Sequence, residues 1–168
     1  VDVGGGYGAL VPPVLAGHPA MTALVFDLPR CERGAMELLD AAGAGDRCRF
    51  VAGDLFVDAL PSGADAYVLK SLLHDFDDER VSAILDNCAR AAVVGTRLLV
   101  IETVVPDEIG TSVEDRWRAA ADLNMLVATG GRERTESEYR SLLQASGFEV
   151  ASIVPTASGL DVIDARVV

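Results

Sequence analysis

The sequence predicts one α/β domain on a doubly wound sheet that is mostly parallel and closes with an antiparallel strand. Three observations predict it. Five short apolar runs alternate with segments of helical periodicity, the order that βαβ units produce. A glycine cluster, Gly4-Gly5-Gly6-x-Gly8, directly follows the first run and suits a tight strand-to-helix turn. The last two apolar runs are separated only by a PTASG turn, too short for a crossover, so they must pair antiparallel.

The elements follow in order along the chain. Val1–Val3 is a short buried strand, and Tyr7–Ala16 reads as the helix after the glycines, with Pro12 and Pro13 tolerable only near its first turn. Ala23–Asp27 (ALVFD) is a second strand ending on an acid. Glu32–Ala42 has helical periodicity and stops at Gly43. Cys48–Ala52 is a third strand, followed at once by Gly53-Asp54, and Ala66–Leu69 is a fourth. Asp78–Ala92 reads as a helix with Asp77 or Asp78 as its N-cap. Leu98–Val105 is a fifth, very apolar strand. Ser112–Ala128 and Glu136–Ala145 read as helices on either side of Gly130-Gly131, before the closing strands Phe148–Val154 and Leu160–Val167. The alternation implies a sheet covered on both faces. No internal repeat, low-complexity segment or linker divides the chain.

Composition narrows the function. The chain has 168 residues, 50% of them hydrophobic, enough to bury one full core. Twenty-six acidic against 14 basic residues give a net charge of -12. A field of that sign repels nucleic acid and anionic membrane, so neither is expected as a partner. Cys31, Cys48 and Cys88 form no CxxC pair and read as small buried apolar side chains in a reducing compartment. No apolar run reaches the ~18 residues needed to span a bilayer, and no basic leader with a cleavage site is visible. A cytoplasmic protein is expected. The chain starts on Val1, already inside a strand and without an initiator Met, which implies trimming or omitted upstream sequence.

In doubly wound sheets ligands sit beyond the carboxyl ends of the strands, where the glycine loop lies. Gly4-x-Gly6-x-x-Ala9 satisfies a dinucleotide fingerprint, with Asp27 available for ribose hydroxyls. Two features oppose a dinucleotide. Asp2 immediately before the glycines is an awkward anion beside a pyrophosphate, and the antiparallel close departs from an all-parallel second half. A cationic adenosyl cofactor fits better. S-adenosylmethionine carries a sulfonium and an ammonium suited to nearby acids. Asp54 in AGDLF ends the third strand as Asp27 ends the second, so one carboxylate is expected beside the ribose and one near the adenine edge.

The stretches VDVGGGYG, VFDLP, VAGDLF, DAYVLKSLLHDFDDE, IETVVPDE, DLNMLVATGGRERTESEY and SGFEV together resemble the S-adenosylmethionine-dependent O-methyltransferases of the caffeate, flavonoid and acetylserotonin type, with their secondary-metabolite branch. The resemblance runs in family order over essentially the whole chain. It implies a class I methyltransferase Rossmann-like sheet, with residues 1–168 as the cofactor-binding catalytic domain. It places S-adenosylmethionine on Asp2, Gly4, Gly6, Asp27, Leu28, Asp54, Leu55 and Lys70, with the ribose on Asp27 and the adenine against Asp54 and Leu55. It implies His74 as catalytic base, bracketed by Glu102 and Glu133, and Asp75, Asp122, Asn124 and Met125 toward the acceptor. No metal is implied, S-adenosylhomocysteine is the product, and the acceptor is a small aromatic or polyketide-like metabolite. An N-terminal helical part, absent from this chain, makes a homodimer in the family and closes the acceptor pocket.

Other readings of the same residues stand beside these. His74 before an acidic helix start could be a cap residue, and the DFDDE run could reflect the preference of helix N-termini for acids or a divalent metal. Glu102 at the end of an apolar strand must be solvated or paired. Trp117 and Met125, eight positions apart, read as helix core as well as substrate wall. Besides a nicotinamide dehydrogenase, which would require NAD binding in place of S-adenosylmethionine, two alternatives remain at the level of function. One is a relative that binds S-adenosylmethionine but supports hydroxylation or decarboxylation. The other is a cofactor-binding module without turnover.

Overall fold

A computed structural model of the protein describes residues 1–168, the Glu114 side chain excepted. Its strands are β1 (Asp2–Val3), β2 (Ala23–Asp27), β3 (Cys48–Ala52), β4 (Ala66–Lys70), β5 (Arg97–Glu102), β6 (Val104–Val105), β7 (Arg134–Thr135), β8 (Phe148–Pro155) and β9 (Asp161–Val167). The helices are α1 (Val11–Gly17), α2 (Glu32–Ala41), α3 (Asp78–Ala91), α4 (Val113–Ala128) and α5 (Glu136–Ala145).

Seven strands form one sheet in the order β3-β2-β1-β4-β5-β9-β8. All pairs from β3 to β5 are parallel, while β9 pairs antiparallel with both β5 and β8. Only β9 is therefore reversed. The order turns at β1 and β4, so the loops after both strands open at one crevice.

Alternation along the strands separates two apolar layers. On one face Phe26, Tyr67, Leu69, Leu98, Val100 and Ile163 pack under α3 and α5. On the other, Val25 and Cys48 pack with Val11 and Leu15 of α1 and Leu39 of α2. That second layer draws on β2 and β3 alone. Val68, Leu99 and Ile101 line an open groove of about 430 Å³ with Val1, Leu10 and Val14. The expected full cover of both faces is thus incomplete over β4 and β5, because α1 and α2, of 7 and 10 residues, lie toward β2 and β3.

Four further expectations change. The first helix begins at Val11 rather than Tyr7, because Gly4, Gly6 and Gly8 all adopt positive φ and Pro12 and Pro13 belong to a first turn. The fifth strand breaks after Glu102, and Val104–Val105 turns away to pair parallel with Arg134–Thr135. Trp117 is 73% exposed, and α4 carries no fully buried side chain among the described residues, so Trp117 and Met125 are not helix core. Cys48 and Cys88 are buried as expected, but Cys31 is only half-buried. Asp77 is the N-cap of α3, its Oδ1 accepting from Arg80 N–H at 2.9 Å.

Candidate active site

The glycine loop is tied to the neighbouring strand by its own backbone. Gly4 N–H donates to Phe26 O at 2.8 Å, and Gly6 N–H donates to Asp27 Oδ2 at 2.7 Å. The other Asp27 oxygen accepts from Leu28 N–H at 2.6 Å. Gly6 has φ +57°, a conformation that costs a residue with a Cβ, and faces open space. Beneath the loop lies Asp2, only 5% exposed, whose Oδ2 has no hydrogen-bond partner. A Cβ on Gly5 would stand 2.5 Å from that oxygen, so the loop rests directly on the carboxyl. Burial pushes the Asp2 carboxyl up to about 6. An orphaned buried carboxyl oxygen beside a glycine cradle favours a cationic ligand over an anionic one. The donor set therefore fits the sulfonium and ammonium of S-adenosylmethionine.

The end of β3 lies beside this loop through Gly53 N–H, which donates to Asp27 O at 2.9 Å. Asp54 closes a turn there, with Oδ1 accepting from Phe56 N–H at 2.9 Å and its own N–H donating to Asp58 Oδ2 at 2.8 Å. Leu55 is held by its carbonyl, which accepts from the buried Asn87 amide at 2.9 Å. Phe56 meets Phe76 edge to face at 5.2 Å, and the Arg80 guanidinium lies 4.9 Å from the Phe56 ring centre. This aromatic pair escaped sequence reading. Its signal was a phenylalanine inside two of the quoted stretches, at the end of VAGDLF and after the His74-Asp75 pair. Lys70 ends β4 exposed, its Nζ 3.5 Å from Ser71 Oγ.

The histidine sits on the turn after β4. Ser71 has φ +49°, alone among the described non-glycine residues in the left-handed region, a strained entry that the surroundings must enforce. Glu102, fully buried at the end of adjacent β5, does so. Its Oε1 accepts from Leu72 N–H at 2.8 Å and Leu73 N–H at 2.7 Å, and its Oε2 lies 2.7 Å from His74 Nδ1. The predicted need for a partner is met three times. With Nδ1 protonated toward Glu102, Nε2 keeps its lone pair. Asp75 Oδ1 is 3.8 Å from Nε2.

Glu133 is buried beside this pair, and its Oε2 has no partner. Burial raises its pKa, with the Glu102 and Asp122 charges adding and His74 opposing. Asp122 on α4 does not simply point to open space: its Oδ1 accepts from Glu133 N–H at 2.8 Å. On the same helix Met125 is half-buried and Asn124 exposed. Among the described residues no group of three or more His, Cys, Asp or Glu could hold a metal ion.

The hydrogen bond to Glu102 raises the His74 pKa above 6.5, opposed by burial and reinforced by the charges of Glu102, Glu133 and Asp75. The folded state thus binds this proton more tightly than the unfolded chain. Its stabilisation is complete below 6.5 and is lost as pH rises through the folded midpoint. In an NMR titration, His74 is expected to have its midpoint above 6.5. A midpoint at or below that value would contradict the pairing.

A parallel sheet with one reversed strand, a glycine loop over a buried acid, and acids at the next two strand ends define a class I methyltransferase domain. The chain belongs to the O-methyltransferase family: residues 1–149 match the model of the O-methyltransferase domain. It is 42% identical over 166 residues to a phenazine O-methyltransferase of Lysobacter antibioticus, covering 99% of this chain and 47% of that protein. It is 44% identical over 153 residues to the O-demethylpuromycin-O-methyltransferase of Streptomyces alboniger, covering 91% and 40%. Among solved structures, an O-methyltransferase from neocarzinostatin biosynthesis was crystallised with S-adenosylmethionine and 2-hydroxy-5-methyl naphthoic acid. It superposes with a TM-score of 0.88 at 34% identity, over 99% of this chain and 48% of that one. The chain spans about half the length of the curated relatives it matches. No helix is long and apolar enough to cross a membrane.

Proposed function

We propose that this domain transfers a methyl group from S-adenosylmethionine to a hydroxyl oxygen, phenolic in kind, of a small aromatic or polyketide-like metabolite. The observation that carries the reading is the buried Glu102 paired to His74 at 2.7 Å, beside the glycine loop. Asp2, Gly4 and Gly6 would hold the methionine end of the cofactor, Asp27 and Leu28 the ribose, and Asp54 and Leu55 the adenine side, with Lys70 nearby. When bound, the cofactor supplies an electrophilic methyl on a sulfonium.

The chain's own residues supply the acceptor's activation. A phenol of pKa ~10 lies ~3 units above neutral pH, so forming its anion costs about 4 kcal/mol. His74 Nε2 takes that proton, Glu102 holds the ring by Nδ1 and stabilises the imidazolium, and Glu133 adds a second negative charge nearby. Base help contributes ~10²–10⁴-fold, whereas holding the two reactants in line contributes ~7–11 kcal/mol. Positioning dominates. Asp75, Asp122, Asn124 and Met125 would face the acceptor, with Asp122 also holding the Glu133 backbone at 2.8 Å. Leu123 and Leu126, exposed on α4, with Trp117 exposed on the opposite side of that helix, leave apolar surface on which an N-terminal helical part, dimeric in the resembled family, would close over the acceptor.

Isothermal titration with S-adenosylhomocysteine and mass spectrometry of products from a phenol panel test this reading. Binding together with a product heavier by one CH2 is expected. Hydroxylated or decarboxylated products, or tight binding with no turnover in any natural length of the protein, would replace it. Because protonated His74 cannot accept the acceptor's proton, the rate is expected to rise with pH through a midpoint above 6.5. A flat profile between pH 6 and 9 would exclude His74 as the base.

A further inference from the structure

The turn that carries His74 is gripped from two sides, and only one of them belongs to the proposed catalytic set. Its amides, at Leu72 and Leu73, donate to Glu102. Its carbonyls are taken by Arg134, a fully buried arginine on β7 in the GGRERT stretch. Nη1 donates to Leu73 O at 3.0 Å and to Arg132 O at 3.3 Å, and Nη2 donates to Phe76 O at 2.7 Å. Nε and Nη2 donate to Asp78 Oδ1 at 2.9 and 2.8 Å. All five N–H groups of the guanidinium are engaged, which a buried arginine requires. The acceptors are not scattered. Leu73 O immediately precedes His74, Phe76 O follows it by two residues, and Asp78 begins the next helix.

A second contact on the same loop presses against the same turn. A Cβ built on Gly131 would lie 2.0 Å from His74 O, 2.5 Å from Asp75 C and 2.6 Å from Phe76 N. The loop backbone therefore lies directly against the histidine's own peptide. Glu102 holds only the amide side of this turn. On the carbonyl side Leu72 O and Leu73 O accept from Asp75 N–H and Phe76 N–H at 3.2 Å within the turn, and Arg134 anchors Leu73 O and Phe76 O from outside it.

We infer that Arg134, with Gly131 beside it, is a positioning residue that fixes the peptide of His74 so that the imidazole meets Glu102 and faces the acceptor. The inference rests on the methyl-transfer reading for its consequence in turnover, but not for its geometry. A planar fork is needed because one group must donate in fixed directions to Leu73 O, Arg132 O, Phe76 O and Asp78 Oδ1, and an ammonium has only three donors with no fixed plane. Arg134→Lys keeps the charge and loses the fork, so any change at His74 reports position rather than field. Arg134→Met removes the charge as well. Loss of a nearby positive charge would by itself raise the His74 midpoint, whereas loss of the Glu102 contact lowers it. The groups facing His74 are Glu102 from β5, Glu133 from the loop before β7 and Asp75 from its own turn.

The chain has only two histidines, so an imidazole NMR titration reads His74 against His18 as internal reference, assigned with His18→Gln. In Arg134→Lys and in Arg134→Met, the His74 midpoint is expected to fall toward 6.5 while His18 and the affinity for S-adenosylhomocysteine stay unchanged. Turnover is expected to drop by about 10²-fold, the scale of an ångström's misplacement, with the acceptor KM unchanged. A folded Lys or Met variant with an unmoved or raised His74 midpoint overturns the inference. So does loss of folding in both variants, which would make Arg134 a residue of the fold alone. If the unsubstituted protein methylates no acceptor, the functional reading fails while the titration still decides the role of Arg134.

Discussion

His74→Gln is expected to lower turnover by about 10²–10⁴-fold and to leave the affinity for S-adenosylhomocysteine unchanged. The separation of the two effects follows from where the turn is anchored. Its backbone is held by Glu102 through the amides of Leu72 and Leu73 and by Arg134 through the carbonyls of Leu73 and Phe76, none of which involves the imidazole. Glutamine can keep a donor toward Glu102 Oε2, but it offers no base with a pKa near neutrality. The glycine loop, Asp27 and Asp54 are fixed by their own hydrogen bonds and do not depend on residue 74. Steady-state kinetics and calorimetry on the variant check both halves. Full turnover would remove His74 as the base, and lost binding would make it part of the cofactor site.

Glu102→Gln is expected to cost as much or more, about 10⁴-fold, the size seen where a buried carboxylate orients a catalytic histidine. The reason is the tautomer. The amide oxygen can still accept from Leu72 and Leu73, but the NH2 group then faces His74 Nδ1. Nδ1 must become the acceptor and the proton moves to Nε2, the atom that should take the acceptor's proton. The fold is expected to survive, and the His74 midpoint to fall with the loss of its largest raising influence. Glu102→Ala is harsher. It leaves two backbone N–H groups without an acceptor at about 1–3 kcal/mol each, a large share of the ~5–15 kcal/mol that holds a domain together. Glu102→Gln retaining turnover within about tenfold, some 1.4 kcal/mol of barrier, would show that orientation by this carboxylate is dispensable.

Much of the candidate site lay open in the sequence because it sits at strand ends. Asp2, Asp27, Asp54 and Glu102 each follow or interrupt a short apolar run, and parallel strands bring their carboxyl ends to one edge. Glu102 announced itself further, since a carboxylate closing a run as apolar as LLVI must be paired. Residues in loops and on exposed helices were less legible. Trp117 and Met125 have core spacing on α4, yet spacing says only which side chains share a face, not whether anything covers it. That Asp122 also holds the Glu133 backbone was not legible, because the contact joins α4 to a loop in the following stretch. The break after Glu102 could not be read from the continuous run LLVIETVV, because β6 leaves the main sheet to pair with β7, about thirty residues later in chain order.

The sequence by itself determined the periodicities, the glycine positions and the acids at the strand ends, and these are local properties of a chain that must bury apolar surface and satisfy its backbone. What the tertiary structure decided were contacts between segments distant in sequence. It brought Glu102 under the amides before His74, set Arg134 against the carbonyls on the other side of that turn, and laid Gly131 on the histidine's own peptide. Long-range pairing of this kind depends on register and on which loops close over which turns. Neither is carried by the spacing of residues along the chain.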